Sequence, residues 1–171
     1  QTTPIQLCLM TAQIANGGYK IYPNIFMEDN EKNEPKDKFT KLFKSSTNIK
    51  IVQDAMFGST NEVMGTSYRS RIDDPIYQFA GKTGTSQVKR ITERERELDL
   101  KTFEIPYEER DHALYVAFGP YKNPRYALSV VVEHGGNGST TAAPMAKKLF
   151  KLIIDRHSIR ESIKKDRYMD T

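Results

Sequence analysis

With 171 residues, 37% hydrophobic and 28% charged, the chain has material for one domain or one substantial piece of a larger one. Its formal charge of +4 is mild, and acids and bases are interspersed, as in Glu93-Arg94-Glu95-Arg96-Glu97; no continuous basic face marks a nucleic-acid binder. A single cysteine, Cys8, excludes an internal disulfide, and no apolar run is long enough to cross a bilayer. The chain opens on Gln1 with no signal-peptide pattern, as expected of a processed chain or a portion of a longer polypeptide.

The first predicted element is a helix. Thr3 serves as its N-cap, Pro4 fills the first helical position, and Gln6 completes a Thr-x-x-Gln capping box. Leu7, Met10, Thr11 and Ile14 follow at helical spacing, and Asn16-Gly17-Gly18 tolerates the positive φ that ends a helix. Cys8, inside this pattern, reads as a small buried hydrophobe. An extended piece from Tyr19 leads into a charged insertion over about 27–45, expected to be a solvated loop.

A second helical region carries Ile49, Val52, Met56 and Phe57 at helical offsets. Ser46 or Thr47 is expected to cap it, and Gly58 and Gly65 to break it, with Ser59 at a break. The stretch from Tyr77 to Val88 looks extended. A second charged insertion, 89–111, reads as a solvated flap with some local helix. Two runs rich in β-branched and aromatic residues, 112–120 and 125–135, flank a turn-like Tyr121-Lys122-Asn123-Pro124 and predict an antiparallel hairpin. After the flexible Gly135-Gly136-Asn137-Gly138, an amphipathic helix is predicted with Met145, Leu149, Leu152 and Ile153 on its apolar stripe, before a charged tail over 161–171. The order helix, helix, strand, strand, strand, helix defines an α+β class with an antiparallel sheet flanked by helices.

Lys82-Thr83-Gly84-Thr85 is poorly suited to a buried strand. Facing a cleft it makes sense: Lys82 supplies a fixed charge, Thr83 and Thr85 offer hydroxyls to a carboxylate, and Gly84 leaves room for a ligand backbone. Lys-Thr-Gly is also one of three elements of serine β-lactamases and penicillin-binding proteins, beside Ser-x-x-Lys and Ser-Asp-Asn. With the surrounding Thr-Pro-Ile-Gln-Leu, Ile-Ala-Asn-Gly-Gly, Ala-Gly-Lys-Thr-Gly-Thr-Ser-Gln-Val and the run from Asp111 to Leu149, the chain resembles the transpeptidase domain of class B penicillin-binding proteins, in the elongation (penicillin-binding protein 2) branch.

The resemblance covers nearly the whole chain apart from the two charged insertions. It implies the C-terminal half of a penicillin-binding/serine β-lactamase-like fold, in a peptidoglycan DD-transpeptidase that is the target of β-lactams. It further implies that Lys82 holds the substrate carboxylate and sets the proton balance. Thr83 and Thr85 hydroxyls would position the ligand, the Thr85 backbone N–H would serve the oxyanion hole, and Gly84 would permit close approach. No cofactor is implied. The implied partners are stem peptides ending in D-Ala-D-Ala, β-lactams, a lipid-linked glycosyltransferase and elongation scaffold proteins. The implied location is the periplasmic face of the bacterial inner membrane, with the anchor outside this chain.

The resemblance also demands a serine at a helix start with a lysine three residues on. Two Ser-x-x-Lys matches exist. Ser86 and Lys89 are expected on the strand itself, pointing to opposite faces, and Ser162 and Lys165 fall in the charged tail. Ser46-Thr47-Asn48 and Ser59-Thr60-Asn61 match Ser-x-Asn, but lie after the opening helix, whereas the family places that element before it. The nucleophile is therefore expected outside this chain, and the isolated chain is expected to be inactive. A non-catalytic binding module, or a fragment of a penicillin sensor or β-lactamase-like domain, is the alternative. His112, His134 and His157 are not spaced as metal ligands, and His134 is expected to serve a turn.

Overall fold

The structure, a computed structural model, describes residues 2–25, 40–89 and 100–169, with side chains to residue 157. Helix α1 spans Pro4–Ala15 and starts as its sequence dictates. The Thr3 backbone N–H donates to Gln6 Oε1 at 2.8 Å, and the Gln6 N–H donates back to Thr3 Oγ1. Gly17 and Gly18 follow with φ near +90°. Cys8 is half-buried, its thiol donates to the Ala127 carbonyl, and burial pushes its pKa up, which suits packing rather than reactivity. Of the first charged insertion, residues 27–39 lie outside the described residues, and the part that follows is paired rather than free. The Lys20 N–H donates to Thr40 O and the Leu42 N–H to Gly18 O, pairing 40–42 with 18–20.

Helix α2 spans Ser46–Asn61. Its cap is Ser45, whose hydroxyl accepts from the Asn48 N–H, not Ser46 or Thr47. Nor does Gly58 break it; the ladder runs on to a Glu62 N–H donating to Gly58 O, so Ser59 is helical. One glycine in a packed helix costs about 1 kcal/mol, less than the tertiary contacts supply. Gly65 does mark the exit. A Cβ there would lie 2.4 Å from Ser59 O, so the chain folds directly back onto the helix end.

The three strands β1 (Ala80–Ser86), β2 (His112–Gly119) and β3 (Tyr126–Val132) form an antiparallel sheet in the order β1-β2-β3, as the strand patterns predict. Each face carries its own core. On one, Phe79, Ala113, Tyr115 and Ala117 pack with Ala142, Ala143, Ala146 and Phe150 from the π-helical turn Gly138–Ala142 and helix α3, Ala143–Met169. Phe79 and Phe150 stack at 4.9 Å. On the other, Ala80 and Phe118 pack with Met56, Ile14, Ala15 and Phe57 from α1 and α2.

One predicted face is rotated from expectation, and a second departs from it at a single residue. On α3 the residues against the sheet are Ala143, Ala146, Phe150 and Ile154, whereas Met145, Leu149 and Leu152 are exposed and Ile153 is half-buried. On α2, Ile49 and Met56 are buried but Val52 is exposed. The residues 161–169 of the expected tail continue α3 as helix, and 170–171 lie outside the described residues.

In the second charged insertion, residues 90–99 lie outside the described residues, and 100–111 forms two short 3-10 turns, Thr102–Glu104 and Tyr107–Glu109. These are tied to the β2–β3 end of the sheet by a pair of histidines. His134 adopts φ 54° in the turn after β3 and donates its N–H to His112 Nδ1 at 3.0 Å. Its own Nδ1 sits 3.1 Å from Arg110 O. The expected turn role of His134 is what the geometry shows.

Candidate active-site strand

Strand β1 pairs only with β2 among the described residues, so its outer edge is open. Alternation along the strand puts Lys82 and Gly84 on the α1–α2 face, and Thr83 and Thr85 on the other. Lys82 and Thr85 are exposed; Thr83 and Gly84 are half-buried. The Lys82 ammonium bends back along its own strand, 2.9 Å from Thr83 O and 3.5 Å from Thr83 Oγ1. Thr85 stands opposite Ala113. Gly84 has two tight neighbours: a Cβ on it would meet Leu114 Cβ at 3.3 Å, and the backbone of Gly138 rests against its N and O. A Cβ on Gly138 would lie 2.6 Å from Gly84 O and 2.4 Å from Leu114 O, so the turn before α3 presses directly on the Lys-Thr-Gly backbone.

On the α1–α2 side, Lys82 opens into a cleft of about 920 Å³ whose wall includes Met10, Met56, Ser59, Glu62 and Thr66. Ser59 and Thr66 were not singled out for this role from the sequence. Their hydroxyls are 3.2 Å apart, and Thr66 Oγ1 is in turn 3.2 Å from Thr83 Oγ1. Beneath this exposed row lies a second, buried one made by the next residue in each segment. Thr60 and Ser67 are fully or almost fully buried and meet the hydroxyl of Tyr115 at 2.9 and 3.1 Å. Tyr115 reaches them by passing under Gly81, where any Cβ would lie 2.3 Å from its oxygen. Burial raises the pKa of this phenol, and the hydroxyls of Ser67 and Thr60 pull it part of the way back. The pairs Ser59-Thr60 and Thr66-Ser67 thus each give one hydroxyl to the surface and one to the interior. The only sequence signal for Thr66 is its place directly after the Gly65 turn.

The remaining motif matches do not assemble around Lys82. Ser86 is the last residue of β1, and Lys89 lies beyond the strand rather than on it, with its ammonium 2.5 Å from Glu109 Oε2. Asn61 of Ser59-Thr60-Asn61 turns away, donating to the carbonyls of Phe57 and Phe79 to hold the start of β1. Ser46-Thr47-Asn48 begins α2. The side chains of Ser162 and Lys165 lie outside the described residues. Among the described residues no group of His, Cys, Asp and Glu is arranged to hold a metal. What the strand assembles is a cation, a row of hydroxyls and a bare backbone along an open edge, which suits an extended anionic ligand.

The three-stranded antiparallel sheet covered on both faces is the α+β half-fold that the sequence resemblance implies, with Lys-Thr-Gly on its edge strand. The chain belongs to the penicillin binding protein transpeptidase domain family, whose model matches residues 1–151. It is 34% identical over 164 residues to the peptidoglycan D,D-transpeptidase MrdA of Salmonella typhimurium, covering 90% of this chain and 25% of that protein. It is 32% identical over 154 residues to MrdA of Acinetobacter baumannii, covering 86% and 22% respectively.

Among solved structures it is similar to Pseudomonas aeruginosa PBP2 in complex with WCK 5153, at a TM-score of 0.70, 32% identity and coverage of 89% of this chain and 30% of that one. It is also similar to Helicobacter pylori PBP2 in its complex with MreC, at a TM-score of 0.68, 28% identity and coverage of 90% and 25%. The chain therefore spans about a quarter of the curated relatives it matches.

Proposed function

We propose that this chain is the substrate-binding half of a peptidoglycan D,D-transpeptidase site, acting within a longer polypeptide that supplies the nucleophilic serine. The observation that supports it best is the open β1 edge with Lys82 and Thr83 beside the cleft shared with Thr66. In this reading Lys82 attracts the carboxylate of a stem peptide ending in D-Ala-D-Ala and favours the deprotonated nucleophile. Thr83 and Thr85 hydrogen-bond the carboxylate, and Gly84 lets the donor peptide lie against the strand. The Thr85 N–H donates to the oxyanion as the acyl-enzyme forms and the terminal D-Ala leaves. A β-lactam enters the same way, its carboxylate on the same hydroxyls.

The polypeptide would act at the periplasmic face of the inner membrane. Among the described residues no helix is long and apolar enough to cross it. The relative solved with MreC supports a scaffold protein as partner, and a lipid-linked glycosyltransferase would supply the glycan strands. Incubation with a fluorescent penicillin tests the reading. The full-length polypeptide should be labelled covalently and the 171-residue chain alone should not; labelling of the isolated chain would show that it carries its own nucleophile.

A further inference from the structure

We propose that Thr66 is a carboxylate-binding residue of this site, its hydroxyl acting together with that of Thr83 on one ligand carboxylate. The inference rests on the transpeptidase reading and adds to it a residue outside the Lys-Thr-Gly-Thr strand. Thr66 Oγ1 and Thr83 Oγ1 are 3.2 Å apart, close enough for each to donate to a separate oxygen of a single carboxylate. Hydroxyl protons rotate freely, so the contact these oxygens make with each other is replaced, not broken at a loss, when an anion arrives. Ser59 Oγ stands behind Thr66 at 3.2 Å and can donate to it, leaving the Thr66 proton for the ligand. Thr66 also lines the cleft that contains Lys82, and the Lys82 ammonium stands 3.5 Å from Thr83 Oγ1, so the same carboxylate lies within reach of a cation.

The position of Thr66 is fixed from below. Its neighbour Ser67 is 1% exposed, donates its N–H and its hydroxyl to Ser59 O, each at 3.0 Å, and contacts Tyr115 Oη. A loop residue held this way keeps its hydroxyl in place, which a freely moving loop could not do.

The test compares acylation of the full-length polypeptide by a penicillin with its free carboxylate and by the methyl ester of the same penicillin. Loss of a hydrogen bond to a charged group corresponds to a rate reduction of roughly 10- to 100-fold. Thr66→Val should lower the rate with the free acid by that factor, leave the slower ester rate within about twofold, and leave the thermal midpoint in place. Thr66→Ser should restore the free-acid rate. Equal rates for Thr66→Val and the unsubstituted polypeptide, or an equal fall with acid and ester, would overturn the proposal while leaving the transpeptidase reading intact. Absence of labelling in the unsubstituted polypeptide would overturn that reading and the proposal with it.

Discussion

The hydroxyl of Tyr115 lies 2.9 Å from that of Thr60, and the path between strand β2 and helix α2 is open only because residue 81 is glycine. This contact joins the sheet to α2 beside Gly81, the second residue of β1 and one residue before Lys82. The geometry of the candidate site is thus set in part by a buried residue that touches no ligand.

Gly81→Ala should be severely destabilising. Its Cβ would sit 2.3 Å from a fully buried tyrosine oxygen, and overpacking of this kind costs about 1–3 kcal/mol or more. The expected outcome is a clear fall in the thermal midpoint of the polypeptide, which adding Tyr115→Phe does not recover, because the ring carbons Cζ and Cε1 would still lie 2.5 and 2.7 Å from the added carbon. A single alanine variant as stable as the unsubstituted protein would mean that Tyr115 has another way to pack.

Tyr115→Phe alone should be milder, because Thr60 keeps Met56 O as a partner and Ser67 keeps Ser59 O. A net loss of about 0.5–1.5 kcal/mol is expected. The pH dependence carries a sign. Burial raises this phenol's folded pKa above the usual 10.0, so the folded state holds the proton more tightly than the unfolded one. The contribution is complete below about pH 10 and is lost as pH rises toward the folded value. Tyr77, raised by its hydrogen bond to Asp155, acts in the same direction. Denaturant melts between pH 9 and 11 should therefore show a shallower alkaline decline for Tyr115→Phe.

Gly138→Ala should damage the site from behind. The added carbon would meet backbone oxygens of Leu114 and Gly84, which cannot swing aside as a side chain can. Penicillin labelling of the full-length polypeptide is expected to fall by more than tenfold, in a variant whose changed atom lies behind the strand and away from its open edge. Retained labelling with a normal thermal midpoint would show that the turn before α3 can lift off the sheet without consequence.

Lys82→Met should leave the fold nearly untouched, since exposed positions away from special contacts usually change stability by less than about 0.5 kcal/mol. Acylation of the full-length polypeptide by penicillin should fall by roughly 100- to 1,000-fold, the effect typical of removing one preorganised electrostatic group. A fall below threefold would remove Lys82 from the proposed machinery.

The element order, the capping box at Thr3 and Gln6, and the hairpin were all legible, because each rests on local periodicity or turn chemistry. The buried face of α3 was not. Large apolar side chains suggested the stripe Met145, Leu149 and Leu152, but the helix approaches the sheet through Ala143 and Ala146, which allow close packing and carry little hydrophobic signal of their own. Ser59 and Thr66 were missed for a related reason. Their neighbourhood depends on a turn at Gly65 and on a strand from a distant part of the chain, and nothing in the spacing of 59, 66 and 83 encodes that meeting. Gly58 predicts a helix break at Ser59, but tertiary contacts carry the helix past it.

The open edge of β1 has a further consequence. A strand edge that no other strand pairs among the described residues, and that would suit one extended peptide, would suit any other strand too, including the β1 edge of a second molecule. Lys82 is well placed to prevent this: like charges would be brought together when two such edges meet, whereas a single anionic peptide neutralises the charge. If Lys82 also docks the ligand as proposed, the lysine would act as a gatekeeper of solubility too, and silencing it would trade a loss of ligand recognition for a new tendency of the chains to stick to one another.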